Sequence, residues 1–565
     1  MEPPGAGGLL YFAGLKLYIC HSNPVHTIVM LKRKMLPALI PLAAAPVLYL
    51  LWPLKSDDFE ITWDKDALKE KQKFLSSINR AGSNDSLPNV ILIIADDLGV
   101  NDISFFGHGK VSTPNIDGIG KSGIAFEQAY TASPLCSPSR ASLLTGKYPQ
   151  RFGFEFQMHD RYLTNRLEYF VFRYFISGGI WQAKSMEKVP RRKDIERQGI
   201  PPSQVTIAEL LKARGYGTAL IGKWHVGWQS ENMPLNLGFD QQYGFFDAHT
   251  LYAPIGTEGI TDQRIEKDFT DKYNWKLGRK GWHGIFRNYQ PIEESEHLTD
   301  AITRESIAYI RENNSRPFFL TVAYNAPHTP LQAPDRYVEM FKDEPDPIKR
   351  VYYAMIKQLD DDIGKLLNEL NTQGLTDNTL IIFLSDNGSA TYTYASDNAP
   401  LRGGKITDFE GGIRIPMFMS WPGRIHPGSS YNSPVITMDV FTTITRAAGL
   451  ELSPDINTDG SDLLRYVNND SLVPHEHLYW QRGASRAIRS GDWKAIWNEE
   501  FGDTLLYDLK TDPNEDSDQF SQNKDLARNL VRMHSDWSDP LPAPLWPPVM
   551  WFGENIGNRW IYFED

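Results

Sequence analysis

Four apolar runs mark the middle of the chain, and each breaks off in polar or charged residues. They are PNVILIIADD (Pro88 to Asp97), GTALIGKWH (Gly217 to His225), FFLTVAYNAPH (Phe318 to His328) and TLIIFLSDNG (Thr379 to Gly388). Their apolar stretches are continuous, not alternating, which suits strands buried on both faces. Between them the spacing changes to three and four residues. TDAITRESIAYIREN and YAMIKQLDDDIGKLLNEL read as amphipathic helices, and SQVTIAELLKARGYG reads as a helix from a Ser cap at Ser203 to a glycine stop. Strands alternating with helices predict an α/β fold: a mostly parallel sheet flanked by helices.

The pattern shifts near Gly449. SRAIRSGDWKAIWN and DTLLYDLKTDPNE read as short antiparallel strands with turns, and DLARNLVRMHSDW as a helix. Residues 450–565 are therefore expected to form a smaller C-terminal α+β subdomain, an antiparallel sheet plus a helix, beside a main domain over 88–449. The closing PLPAPLWPPVMWFGENIGNRW is expected to wrap the surface in irregular form. Residues 56–87 are polar and read as a linker or a loose first helix.

The first 55 residues read as a targeting segment. Basic LKRKM precedes apolar LPALIPLAAAPVLYLLWPL (Leu36 to Leu54) and acidic KSDD. That order fits export with the positive side inside, through a cleaved signal or an uncleaved membrane anchor. The expected location is periplasmic, membrane-anchored or extracellular, with an N-terminal membrane association among the options.

Composition narrows the partners. The 565 residues are 41% hydrophobic and 23% charged, with a net charge of −12, which argues against nucleic acid as the main partner. The two cysteines, Cys20 and Cys136, cannot build a disulfide framework. An insertion over about 152–197 departs from the acidic background. Residues 151–200 hold ten Lys/Arg against six Asp/Glu, and Phe152 to Trp181 hold ten aromatics. It reads either as a packed insertion or as a substrate wall, with aromatics for sugar faces and bases for anions.

The strand ends collect the candidate chemistry. Asp96, Asp97, Asp386 and Asn387 are an all-oxygen set that suits Ca²⁺ or Mg²⁺ and not zinc. Lys223 and His225 follow one strand, His328 follows another, and Lys405 lies in RGGKITDFEGG. Such a set would hold a tetrahedral anion and protonate a leaving oxygen.

CSPSRASLLTG (Cys136 to Gly146) resembles the signature of the type I, formylglycine-dependent sulfatases, C-x-P-S-R-x-x-x-L-T-G. Cys136, Pro138, Ser139, Arg140, Leu144, Thr145 and Gly146 match all seven fixed positions. The DD, GKWH, PH, SDNG and GGK motifs resemble the same family in the same order, over about Pro88 to Pro422. The resemblance implies an alkaline-phosphatase-like fold, with 88–449 as the catalytic domain. It also implies oxidation of Cys136 to formylglycine by a formylglycine-generating or anaerobic sulfatase-maturating enzyme, the hydrated aldehyde then serving as nucleophile. Asp96, Asp97, Asp386, Asn387 and modified residue 136 would bind Ca²⁺. Arg140 would orient the nucleophile, and Lys223, His328 and Lys405 would bind the sulfate. His225 would act as base and His328 as proton donor to the leaving group. Lys147 is a further candidate to bond nearby acids.

The expected substrate is a sulfated carbohydrate, an algal galactan such as carrageenan first and ulvan next. Animal hexosamine-sulfate sulfatases are also similar near the signature. They normally carry disulfides, so the expectation is a bacterial polysaccharide enzyme. The alternatives are a metal-dependent phosphatase or phosphodiesterase of the same superfamily, which would place Thr or Ser at the nucleophile and bind two zinc ions, or an inactive binding homologue, which would lack ligands that are all present here.

Overall fold

The computed structural model describes residues 48–565 apart from 53, 57–60, 81–86, 108, 160–161, 177–179, 185–187, 190–191, 452–455, 457, 468–471 and 557–558. Cys20 and most of the targeting segment lie outside the described residues. Pro53–Asp565 form one compact unit. No helix among the described residues is long and apolar enough to cross a membrane.

The four apolar runs become neighbouring strands: β1 (Asn89–Asp96), β2 (Gly217–Lys223), β3 (Phe318–Pro327) and β4 (Thr379–Ser385). They lie in the order β2–β3–β1–β4, all parallel, inside a ten-stranded sheet whose flanks turn antiparallel. Every β1 residue is buried. Val90, Leu92 and Ile94 enter one apolar cluster, with Leu143 and Leu144 among its helical members. Ile91, Ile93 and Ala95 enter the other, with the helices Leu298–Asn313 and Pro347–Thr372. A strand covered on both faces thus has no polar side, which is why its sequence does not alternate.

Register brings the carboxyl ends together. Phe318 pairs with Gly217, Phe319 with Val90, and Ser385 with Ala95. Asp96, Lys223, His328 and Asp386 therefore leave the sheet at one edge. Ligands of open α/β sheets bind at that edge, and β1, first in the chain but flanked by β3 and β4, stands at the change of winding.

At the C-terminus, His477–Arg482, Ser485–Ser490, Trp493–Asn498 and Thr504–Asp508 form an antiparallel four-stranded meander, and Lys524–Ser538 packs across it. Two local expectations shift, and between them the helix alternative for 56–87 is borne out. The helix expected to start at Ser203 starts at Ile207. Thr206 caps it because only Thr206 has Glu209 three residues on to complete a capping box. Within 56–87, Lys65–Ser77 is a helix, and its buried Lys71 pairs with Glu209 at 2.6 Å. The closing segment is not wholly irregular. Beyond Pro548 no proline removes a donor, and Met550–Ile556 pairs antiparallel with Arg559–Glu564 and with Trp181–Ala183 of the insertion.

Candidate active site

Cys136 is the first residue of the helix Cys136–Thr145, all of whose side chains are buried. That helix ends at Gly146, whose φ of 68° allows the left-handed stop. Its start favours an anion, since the first N–H groups have no intrahelical acceptor. One of these, Ser137 N–H, is taken by Gln157 Oε1 of the insertion at 3.1 Å.

Arg140 lies one turn on, on the same face as Cys136. Its Nε donates to Asp386 Oδ2 at 2.8 Å and its Nη1 to the Lys223 carbonyl at 3.2 Å, and Nη2 lies 3.7 Å from Asp96 Oδ1. Arg140 thereby ties the signature helix to three strand ends. Ser139 Oγ donates to the Asp386 carbonyl at 2.6 Å.

The sequence-derived residues converge in one buried site. Cys136 Sγ is 3.5 Å from Asp96 Oδ1 and 3.8 Å from Asp97 Oδ1. Lys405 Nζ donates to Cys136 Sγ at 3.0 Å and to Asp97 Oδ1 at 2.8 Å. Lys223 Nζ donates to Asp96 Oδ2 at 2.7 Å, and Asn387 Nδ2 to Asp97 Oδ1 at 2.7 Å. His328 Nε2 is 3.6 Å from Asp97 Oδ2, and its ring is turned by an Nδ1–H bond of 2.5 Å to the Thr329 carbonyl. His225 is one residue removed, with Nε2 at 3.1 Å from Ser137 Oγ. Lys147 stands apart and bonds the Gln204 carboxamide at 3.2 Å, not an acid.

Two of these residues have positive φ, Asp97 at 64° and His225 at 59°. Ile406, beside Lys405, has φ of 80°, a conformation that a β-branched residue adopts only when its surroundings impose it. Those surroundings come from the C-terminal region. Lys494 Nζ binds Glu410 at 2.9 Å and Glu515 at 2.8 Å, and Arg482 binds Asp408 at 3.0 Å, so the Lys405 loop is held from the meander.

Burial opposes ionisation of Asp97, yet the charges of Lys405 and Lys223 hold its carboxyl below the usual range. Burial, followed by the nearby lysines, pushes His328 down to about 3 and His225 well below its ordinary value, so both imidazoles rest neutral. The Cys136 thiol goes up, first through burial and then through Asp386 and Asp96, against the pull of Lys223 and Lys405. A neutral thiol is a poor nucleophile.

The donor set fits a hard cation. Atoms of Asp96, Asp97, Cys136 and His328 lie within 4.8 Å of one another, and Asp386 Oδ1 joins through the Asp97 N–H at 3.3 Å. Asn387 Oδ1 is buried with no hydrogen-bond partner among the described residues, an acceptor that a cation would satisfy.

Above His328 and Lys405 opens a cavity of about 980 Å³. The insertion supplies one wall through Tyr162, Leu163, Leu167, Phe172 and Trp181. Trp181 packs edge-on against Tyr392 and Phe552 at 5.3 and 5.1 Å. Phe154, Phe156 and Met158 of the same insertion are core residues, so the packed and wall readings hold for different halves of it. The exposed lysines that line the cavity, Lys267, Lys272 and Lys276, come from a different segment, the last two from the helix Phe269–Leu277. Sequence reasoning missed that segment, and also His249, His283 and Tyr252, whose hydroxyl donates to the His328 carbonyl at 2.8 Å. None of these sits in a motif at a strand end.

A buried nucleophile position at a helix start, carboxylates and cations around it, and a strand-end cavity define a hydrolase of anionic esters. The Sulfatase family model matches residues 88–450, and the model described as N-sulphoglucosamine sulphohydrolase, C-terminal, matches 405–536. The N-acetylgalactosamine-6-sulfatase of Rattus norvegicus is 31% identical over 416 residues, 73% of this chain and 71% of that protein. The steryl-sulfatase of Homo sapiens is 29% identical over 453 residues, 70% of this chain and 72% of that one. The crystal structure of Ps i-CgsB in complex with k-i-k-neocarrahexaose superposes with a TM-score of 0.68 at 31% identity, covering 82% of this chain and 95% of that one. The chain belongs to the sulfatase family, and it is a sulfuric ester hydrolase.

Proposed function

We propose that the protein removes sulfate from a sulfated carbohydrate, with a galactan such as carrageenan as the leading substrate, by way of a formylglycine made from Cys136. The observation that carries this reading is the position of Cys136. It opens the signature helix beneath a sugar-sized cavity, with Lys405 Nζ 3.0 Å from its sulfur. Similarity to hexosamine-sulfate and neocarrahexaose-binding relatives supports the carbohydrate class.

Formylglycine, when installed, supplies a hydroxyl nucleophile where the neutral thiol cannot, and Ca²⁺, when bound, supplies charge to offset the ester's. Asp96, Asp97, Asp386 and Asn387, with an oxygen on modified residue 136, would hold that cation. The rest falls to the chain. Lys223 and Lys405 bind the sulfate oxygens. Arg140 fixes residue 136 through its contacts with three strand ends. His328, whose resting proton sits on Nδ1 against Thr329, would donate to the leaving oxygen after taking a second proton at Nε2 as the anionic ester binds, and His225, beside Ser137, would receive the proton released at residue 136. Within this reading 88–449 is the catalytic domain, and 450–565 is a subdomain that buttresses the Lys405 loop. The basic, apolar, acidic order of the N-terminus supports export, and Cys136 requires a maturation partner.

Cys136→Ala tests the reading. Sulfate release from a carrageenan oligosaccharide should fall at least about a thousandfold while the melting temperature stays within a few degrees. Activity within about tenfold of wild type would remove Cys136 from the chemistry.

A further inference from the structure

The cavity sorts its charges by exposure. Lys267, Lys272 and Lys276 are exposed, and Lys267 Nζ sits 5.5 Å from the Tyr394 ring centroid. Apart from His328 and Lys405, the buried acids and imidazoles of the wall are Asp247, Asp268, Asp565, His249 and His283. No buried cation other than Lys405 joins them among the described lining residues.

These groups differ in what they have left to offer. Asp268 caps a helix and accepts from Thr270 N and Oγ1 at 3.0 and 2.7 Å. Asp247 Oδ2 is 3.6 Å from His283 Nε2, whose Nδ1–H donates to the His249 carbonyl at 2.7 Å. The His249 ring lies 4.4 Å from that of His283, centroid to centroid. His249 and Asp565 are each only 7% exposed, yet His249 Nε2 and Asp565 Oδ1 have no hydrogen-bond partner among the described residues. A buried acceptor without a donor is costly, so it favours a ligand that brings one.

We propose that this inner wall is a subsite for an uncharged, hydroxyl-bearing sugar unit next to the sulfated position, and that it rejects a second sulfate or a carboxylate there. The inference rests on the sulfatase reading and narrows its substrate. Sugar hydroxyls donate to Asp565 and Asp247 and can donate to or accept from neutral His249. The face of the sugar ring meets the aromatic edge formed by Trp181 and Tyr392. A neighbouring anion meets buried carboxylates in a medium where like charges repel far more strongly than in water. The exposed lysines draw in a polyanionic chain from outside without compensating an anion held at the inner wall. Galactans with one sulfate near the cleaved ester satisfy this wall, and uronate-bearing polymers such as ulvan do not.

The test uses binding to the full chain carrying Cys136→Ala, so that turnover plays no part. Calorimetry compares three oligosaccharides of equal length. One is a galactan bearing a single sulfate, one carries a second sulfate on the adjacent unit, and one has a uronate there. Both charged neighbours should weaken binding at least about tenfold. The Asp247→Asn/Asp565→Asn double variant should shrink the gap to about threefold or less. Equal or tighter binding of either charged ligand, no binding of the single-sulfate ligand, or an unchanged gap in the double variant overturns the proposal. Failure of the sulfatase reading shows elsewhere, as no sulfate release from any ester by the matured enzyme whatever the binding order.

Discussion

At the residue scale, the site balances three buried carboxylates with three buried cations, and its stability depends on their pairing. Asp386 accepts from Arg140 Nε and from the Asp97 backbone. Asp386→Ala leaves a guanidinium that is 3% exposed without its principal partner, and removing one member of a buried pair costs about 3–5 kcal/mol. The variant should melt lower, release no sulfate and hold less metal by elemental analysis. Asp386→Asn keeps an acceptor for Arg140 and should recover most of the melting temperature without recovering metal content. Equal metal content in both variants and wild type would take Asp386 out of the cation site.

A second residue sets a pH dependence outside the chemistry. Glu155 is buried, and burial pushes its carboxyl up to about 7, against donors from Gly483 and Gln481 at 2.9 and 3.2 Å. Its folded pKa is above its unfolded value of about 4.3, so the folded state binds more protons between them. Its contribution is fully present below about 4.3 and is lost as pH rises through about 7, by on the order of 3 kcal/mol. Glu155→Gln should flatten the fall in melting temperature between pH 5 and pH 8, the range set by that shift. A wild-type melting temperature that rises across this range, with the variant following it in parallel, would contradict the assignment.

At the element scale, the insertion divides by packing. Phe154, Phe156 and Met158 are core, and Trp181–Ala183 is a strand of the C-terminal sheet, so deleting all of 152–197 should cost the fold. The stretch between them exposes Phe170 at 45% and Tyr174 at 63%, while Leu167 and Phe172 face the cavity. Replacing 164–176 by a short Gly/Ser linker should raise KM for an oligosaccharide about tenfold or more and leave kcat and melting temperature nearly unchanged. Equal loss of stability and of kcat would make that stretch structural. The sequence alone could not divide the insertion, because aromatics at helical spacing look the same whether they face a core or a cavity. The strands were legible because burial on both faces leaves a continuous apolar run, and register then placed Asp96, Lys223, His328 and Asp386 together. His225 meets Ser137 and has a positive φ after β2, a placement that spacing does not encode. The cavity wall over 247–283 was not legible either, since its members lie in loops and the short helix Phe269–Leu277, away from any motif at a strand end.

At the scale of the whole molecule, the C-terminal meander does more than cover a sheet. Lys494 is fully buried between Glu410 and Glu515, Arg482 holds Asp408, and the Glu564 carbonyl accepts from Arg482 at 2.7 Å. These pairs bind the loop carrying Lys405, with its strained Ile406, to meander residues more than 70 positions away in sequence, as the Asp408–Arg482 separation of 74 shows. One folded unit therefore holds the Lys405 loop in place from the C-terminal meander. The central claim remains chemical: residue 136 acts as formylglycine. Its most direct test is the intact mass of the peptide containing Cys136, together with sulfate release, for protein produced with and without a maturation enzyme. Exchange of sulfur and two hydrogens for oxygen should lower the peptide mass by about 18 Da, and sulfate release should rise in proportion to the converted fraction. Full activity in protein whose Cys136 peptide keeps its thiol mass would contradict the account.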